Sequence, residues 1–170
     1  MKRSLYIFYI FLIIIMVIPK EKLYFAFESF LGEHHLFINN EDFTNRLFYV
    51  DIDHGDVLLD NQEFAKIEHM RIAPWIVLNR FTLTDIAFLP LYRNIFPGKI
   101  DSITLTYSLL NPLRMDILAE GDFGHCSGTY ELMNQKLRIL FDPTSQLRAY
   151  PLLMNKLHQE QGGLVYEQIF

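Results

Sequence analysis

Apolar residues follow three patterns in this chain. There is an unbroken run near the start, then a short stretch at helical spacing, then a long region of alternation with polar residues. The run spans residues 5–18 and contains no charge, and Lys2 and Arg3 stand before it. It is about 14 residues long, roughly 21 Å as a helix, whereas a hydrocarbon core of about 30 Å asks for nearer 20 residues. The length suits the apolar region of a signal peptide, but no small residue pair precedes a cleavage point. With Ala26 at one of the two key positions, the other is Tyr24 or Glu28; cuts after Ser29 or Gly32 place Phe27 or Phe30 there. An uncleaved signal-anchor is therefore expected. Lys20 and Lys22 reach outward from it, and Tyr24 and Phe25 sit at the interface. The basic N-terminal flank places the N-terminus in the cytoplasm and the rest of the chain across the membrane.

Pro19 limits that helix. Leu23, Phe27, Phe30 and Leu31 then fall on one helical face, with Glu21 and Glu28 off it and Gly32 as a stop. This predicts a short amphipathic juxtamembrane helix closing an N-terminal unit, residues 1–32.

From His35 the period becomes two, which is the spacing of a strand with one buried face. Val50 and Ile52 alternate with Asp51 and Asp53, and His54, Gly55 and Asp56 read as a turn. A strand with disturbed alternation near His69 follows. Pro90 and the Pro97-Gly98 pair bracket a loop with room for one helical turn. Ile103, Leu105 and Tyr107 alternate with Thr104 and Thr106. Met115, Ile117 and Ala119 alternate with Asp116 and Glu120. Cys126, Gly128, Tyr130 and Leu132 share one face, as do Leu137, Ile139 and Phe141. Turns are expected at Asp60-Asn61, Asn111-Pro112, Gly121-Asp122 and Asn134-Gln135. Residues 146–159 read as a helix and 164–170 as a last strand. The expected fold is mainly β with α. An N-terminal transmembrane helix leads into a curved, meandering antiparallel sheet over residues 33–170, with a C-terminal helix packed near its end. One apolar face must be buried or left as a groove, and the groove would be lined by Ile103, Leu105, Tyr107, Met115, Ile117, Tyr130 and Ile139.

Charge narrows the partners. Residues 21–170 carry 12 basic and 20 acidic groups, a net −8, which disfavours nucleic acid and a bare anionic bilayer surface. The one cysteine, Cys126, permits no internal disulfide. No phosphate-binding glycine loop, nucleophile elbow, zinc-binding helix or paired-cysteine motif is present. The acidic cluster from Asp51 to Asp56 fails as a calcium loop, because glycine falls one place early and Gln62 stands where glutamate is needed. His34 and His35 lack a visible third ligand. Cys126 lies on the apolar phase, so a buried thiol is the simpler reading than a nucleophile beside His125. Asp116, Glu120 and Asp122 flank a turn, where acids are common, and Trp75 is expected in the core. No catalytic residue, metal site or cofactor is predicted.

The run Ala119-Glu120-Gly121-Asp122-Phe123-Gly124-His125-Cys126-Ser127-Gly128-Thr129-Tyr130 leads into Lys136-Leu137-Arg138-Ile139-Leu140-Phe141-Asp142-Pro143-Thr144. Leu152-Leu153 and Gly163-Leu164-Val165-Tyr166-Glu167 follow. This succession, over residues 101–170 with the anchor, resembles the periplasmic domain of the general secretion pathway protein N of type II secretion and the wider AsmA-like group. The resemblance implies a bacterial inner-membrane protein with one anchor, a curved periplasmic sheet and no catalytic residue. Its expected role is an accessory or scaffold in a secretion or other envelope assembly. The alternative is a lipid-binding or lipid-transfer protein using an apolar sheet face.

Overall fold

The computed structural model describes residues 6, 24–25, 28–29, 31–32, 35–75, 77–92, 98–142, 147, 150–160 and 163–170, without the side chain of Leu152. They form an open antiparallel sheet of eleven strands. In chain order these are β1 (Leu36–Asn39), β2 (Asp42–Asn45), β3 (Val50–Leu59), β4 (Gln62–Pro74), β5 (Leu78–Phe88), β6 (Lys99–Ser108), β7 (Asn111–Gly121), β8 (Gly124–Glu131), β9 (Lys136–Phe141), β10 (His158–Glu160) and β11 (Gly163–Ile169). A 3₁₀ turn occupies Pro90–Tyr92 and helix α1 is Pro151–Met154.

β1 and β2 lie end to end along the outer edge of β3. From β3 to β9 each strand pairs with the next, and β11 then inserts between β9 and the edge strand β10. The expected meander is present, and its alternation decides which face is apolar. One row of paired residues runs Val50, Ile72, Phe81, Leu105, Ile117, Gly128, Ile139, Tyr166. The next runs Ile52, Met70, Leu83, Ile103, Ala119, Cys126, Phe141, Leu164. The opposite face carries Asp51, Arg71, Thr82 and Thr104 in register.

His54, Gly55 and Asp56 do not turn the chain; they lie inside β3. Apolar positions step by three there, from Ile52 to Gly55, and do so again from Ile67 to Met70, Leu83 to Ile86 and Ile100 to Ile103. His54 and Asp85 have φ of 60° and 55° at this line. Such an irregularity shifts the phase of alternation by one residue. Because four neighbouring strands shift together, the apolar face stays continuous across the line.

The core sits on that face, where Tyr24, Leu147, Phe88, Ile100, Phe123 and Phe141 are buried. Leu31, Tyr150, Leu153, Met154 and Leu157 pack against it. Tyr24 is only 2 % exposed and donates a hydrogen bond to Glu41 at 3.0 Å. Its ring is thus part of the sheet's core rather than a membrane-interface anchor. Burial, together with the Glu41 carboxylate, pushes its phenol well above the ordinary tyrosine value.

The helix expected over 146–159 is much shorter among the described residues. α1 starts at Pro151, a residue suited to a first helical turn, and has four residues. His158–Glu160 is strand, held to Gly163–Val165 in a hairpin. No described helix is long and apolar enough to cross a membrane. The run 5–18, apart from Tyr6, and most of the juxtamembrane face lie outside the described residues.

Candidate functional site

Because alternate residues of a strand share a face, the meander brings together side chains far apart in sequence. Leu105 pairs with Ile117, Tyr107 with Met115 and Ile103 with Ala119. Met115 pairs with Tyr130, and Gly128 stands between Ile117 and Ile139. All seven residues expected to line an apolar groove therefore occupy one face over four adjacent strands. Each is half-buried rather than sealed. Ile103 and Ile139 also pack against the core.

A depression of about 280 Å³ lies at one end of this face, lined by Ile72, Pro74, Phe81, Leu105, Tyr107 and Met115, among others. Gly128 keeps the adjoining strands close. A Cβ there would fall 2.6 Å from the Arg138 carbonyl oxygen and 3.0 Å from Ile139. The lining is mainly apolar and offers bulk and dispersion contacts, with Asn79 and Arg80 as its polar members. Its chemistry suits a hydrocarbon chain rather than a polar substrate.

The other candidates separate. Asp51 accepts from Arg71 Nε at 2.7 Å and lies 3.3 Å from His69 Nε2. His69 Nδ1 is 2.5 Å from Asp53, and Arg71 stacks over Tyr49 at 4.5 Å. The hydrogen bond to Asp51 holds the Arg71 guanidinium protonated beyond its ordinary range. This network ties β3 to β4 on the polar face. No group of three His, Cys, Asp or Glu side chains gathers as a metal site among the described residues. His35 lies at a turn, 4.0 Å from Asp60, and His34 is outside the described residues.

Cys126 is buried and its thiol is pushed up to about 11, chiefly by that burial. His125 points to the other face, 3.2 Å from Glu120. Asp116 instead pairs with Arg114 at 2.8 Å, and Asp122 accepts the Lys99 amide at 2.8 Å. These acids do not converge. Two other depressions, about 450 and 340 Å³, have mixed linings: Arg114, Leu118, Thr129, Arg138 and Leu140 among others in the first, and Ser102, Glu120 and Asp142 among others in the second.

Trp75 is not a core residue. It is 43 % exposed and stacks on Phe48, with ring centroids 5.6 Å apart. It belongs to a feature that sequence reading missed: the hairpin turns at one end of the sheet carry large apolar side chains. Leu109 and Leu110 form the turn before Asn111, and Leu132 and Met133 open the turn that holds Asn134. In the sequence Leu109 and Leu132 simply continue the apolar phase of their strands while Leu110 and Met133 fall off it, and only the turn positions reveal them as tips. No family model, curated protein or solved structure matches this chain.

Proposed function

We propose that this chain is a membrane-anchored, non-enzymatic protein of the bacterial envelope that holds a lipid acyl chain on the apolar face of its sheet. The observation that carries this reading is the placement of Leu105, Tyr107, Met115 and their four companions on one half-exposed face beside an apolar depression. At about 280 Å³ the depression falls just below the usual range of ligand sites, which run from about 300 Å³ upward. It suits one acyl chain, with the headgroup left in water. Each buried methylene contributes about 0.8 kcal/mol, so part of one chain gives useful affinity without any polar contact. The anchor in this reading is the apolar run at residues 5–18. Lys2 and Arg3 place the N-terminus in the cytoplasm and the sheet in the periplasm, at the inner membrane.

The test is native mass spectrometry of the full-length protein released from detergent. A phospholipid adduct is expected on the wild type and absent from Leu105→Glu. A lipid-free wild-type mass overturns the acyl-chain reading. Tyr24 must be kept in any shortened chain, since its ring is in the core.

The second reading is an accessory or scaffold of a type II secretion-like assembly. It is favoured by the edge beyond β9. There, among the described residues, β10 pairs only with Gly163, Leu164 and Val165, and β11 continues to Ile169. An extended segment of a partner protein adds well to such an edge. Cross-linking from Gln168 to an envelope protein is its test.

A further inference from the structure

We infer that the row of apolar turns at one end of the sheet docks into the surface of a lipid bilayer, so that the domain rests on the membrane through its hairpin tips. This rests on the membrane reading above but not on the acyl-chain reading. In an antiparallel meander alternate turns lie at the same end. The turns after β2, β4, β6 and β8 therefore share an end with the C-terminus of β11. Each supplies an exposed large apolar side chain. Phe48 stacks on Trp75 across two turns, Leu110 is 86 % exposed, Met133 is 74 % exposed, and Phe170 stands beside the Tyr130 ring.

Turn tips are normally built from Gly, Asn, Asp and Ser, because those residues suit the backbone and water. A row of Leu, Met, Trp and Phe tips needs an apolar partner outside the domain. Aromatic and aliphatic tips side by side suit the headgroup boundary, where indole rings concentrate.

Two further observations select a bilayer as the occupant. The first is charge. At the level of these turns and of the strand residues just behind them stand Arg46, Arg80, Arg114, Lys136 and Arg138 against Asp116, Glu131 and Glu167, with Arg114 paired to Asp116 at 2.8 Å, Lys136 to Glu167 at 2.6 Å and Arg138 to Glu160. Asp60, Glu63, Asp85, Asp101, Glu120 and Asp122 lie toward the far end. The acidic excess of the domain thus lies away from the tips, and the end that would meet anionic headgroups is not itself acidic. The second is where the chain joins the sheet. Tyr24 packs beside Phe43 of β2, and a Cβ at Gly32 would lie 3.6 Å from the Phe37 ring of β1. Phe43 is paired with Ile52 and Phe37 with Leu58, so Tyr24 and Gly32 stand at different levels of the sheet. Tyr24 is nearer the apolar end than Gly32, and the apolar run 5–18 ends six residues before Tyr24. Anchor and tips can therefore serve the same membrane.

Trp75 is the one tryptophan of the chain, so its emission reports the tips directly. The full-length protein is reconstituted into phosphatidylethanolamine and phosphatidylglycerol vesicles whose acyl chains carry bromine near the headgroup. Vesicle flotation and extraction at alkaline pH are run in parallel. Quenching of Trp75 is expected, together with its loss in a Leu110→Asp, Met133→Asp double variant that still floats and keeps the wild-type circular dichroism spectrum. Both side chains are solvent-exposed in the fold, so the variant reads docking rather than folding. Unquenched Trp75 in a protein that floats overturns the docking inference and leaves the anchor standing. Such a result would turn attention to a protein partner for the tips. Quenched Trp75 in a protein released by alkaline extraction supports docking and removes the anchor. A protein that does not float overturns both.

Discussion

The two ends of this sheet do the same architectural job with opposite chemistry. At one end, β3 turns into β4 through Asp60 and Asn61, whose φ values are 50° and 64°. β7 turns into β8 through Asp122 and Phe123, ahead of Gly124 at φ 94°. Around them Lys99 bridges Asp85 and Asp101 at 2.7 and 3.2 Å, and Asn40 donates to Asp56 at 2.8 Å. Hydrogen bonding by Asn40, with the Lys66 ammonium nearby, holds the Asp56 carboxyl below its usual range. Beneath these charges the apolar face is closed by Phe123, Phe141, Leu147 and Leu153. At the other end the turns are apolar and the face beneath is half open. The charged end follows the common rule of polar surface over a closed core. The apolar end departs from it twice, at the tips and on the face. A single departure could be local packing; two adjoining ones point to something outside the domain.

The largest effect separates the two halves of the apolar face. Phe141 is buried, pairs with Cys126 and Leu164, and meets the Phe123 ring edge-on at 5.9 Å. Phe141→Ala is expected to cost about 3–5 kcal/mol, as buried phenylalanines do. Tyr107→Ala, on the half-open side, should cost less than half of that. Urea unfolding of both variants measures the difference. Equal losses would mean that the Tyr107 side is packed as tightly as the core, and the acyl-chain site would go with it.

Much of this was legible because alternation is a direct readout of one-sided burial. The groove residues from Ile103 to Ile139 and the strands that carry them follow from it. Three things were not legible. The line through His54 and Asp85 reads locally as a turn at Gly55, since three polar or small residues in succession look the same in a kink and in a hairpin. Only the continued pairing of Asp56 with Lys66 and Val57 with Ala65 shows that the strand goes on. The second is the 158–160 strand, whose sequence continues the helical pattern of the residues before it; its pairing with β11 is tertiary information. The third is the apolar tips, because Leu109 and Met133 carry no backbone signal of a turn. Tyr24 was misplaced for a related reason. Its neighbours in sequence are a membrane-like run, while its neighbour in space is Glu41.

Tyr24 also gives an intermediate test of how the edge of the sheet is tied down. Its folded-state pKa is raised, so the fold favours the protonated phenol. The stability this contributes is complete below the ordinary phenol value, about 10, and declines as pH rises beyond it, because the unfolded phenol ionises first. Tyr24→Phe loses the hydrogen bond to Glu41, worth about 1 kcal/mol, and also removes this alkaline decline. The stability gap between wild type and variant should shrink above pH 10. A constant gap across that range would place the phenol in water rather than in the core.

The smallest expected effect carries the sharpest contrast between the ends. At the charged end, Asn61→Val forces a β-branched residue into a left-handed conformation and should cost about 1–2 kcal/mol. At the apolar end, where neither Leu109 nor Leu110 has a positive φ, replacing them by Asn-Asp, polar residues common in turns, should change stability by no more than about 0.5 kcal/mol. Leu110 in particular leaves little contact behind. The Leu109 amide donates to the Val77 carbonyl of the neighbouring turn at 2.9 Å and the Leu110 amide to Ser108 Oγ at 3.2 Å, backbone donors that the polar replacements keep. Thermal unfolding of the two variants reads both effects. Near-neutral exchange at 109–110 shows that the leucines are not needed for folding. That leaves their apolar surface to an external partner. A loss above 1 kcal/mol would instead make the tips part of the fold's own packing, and the two ends would then differ in composition without differing in role.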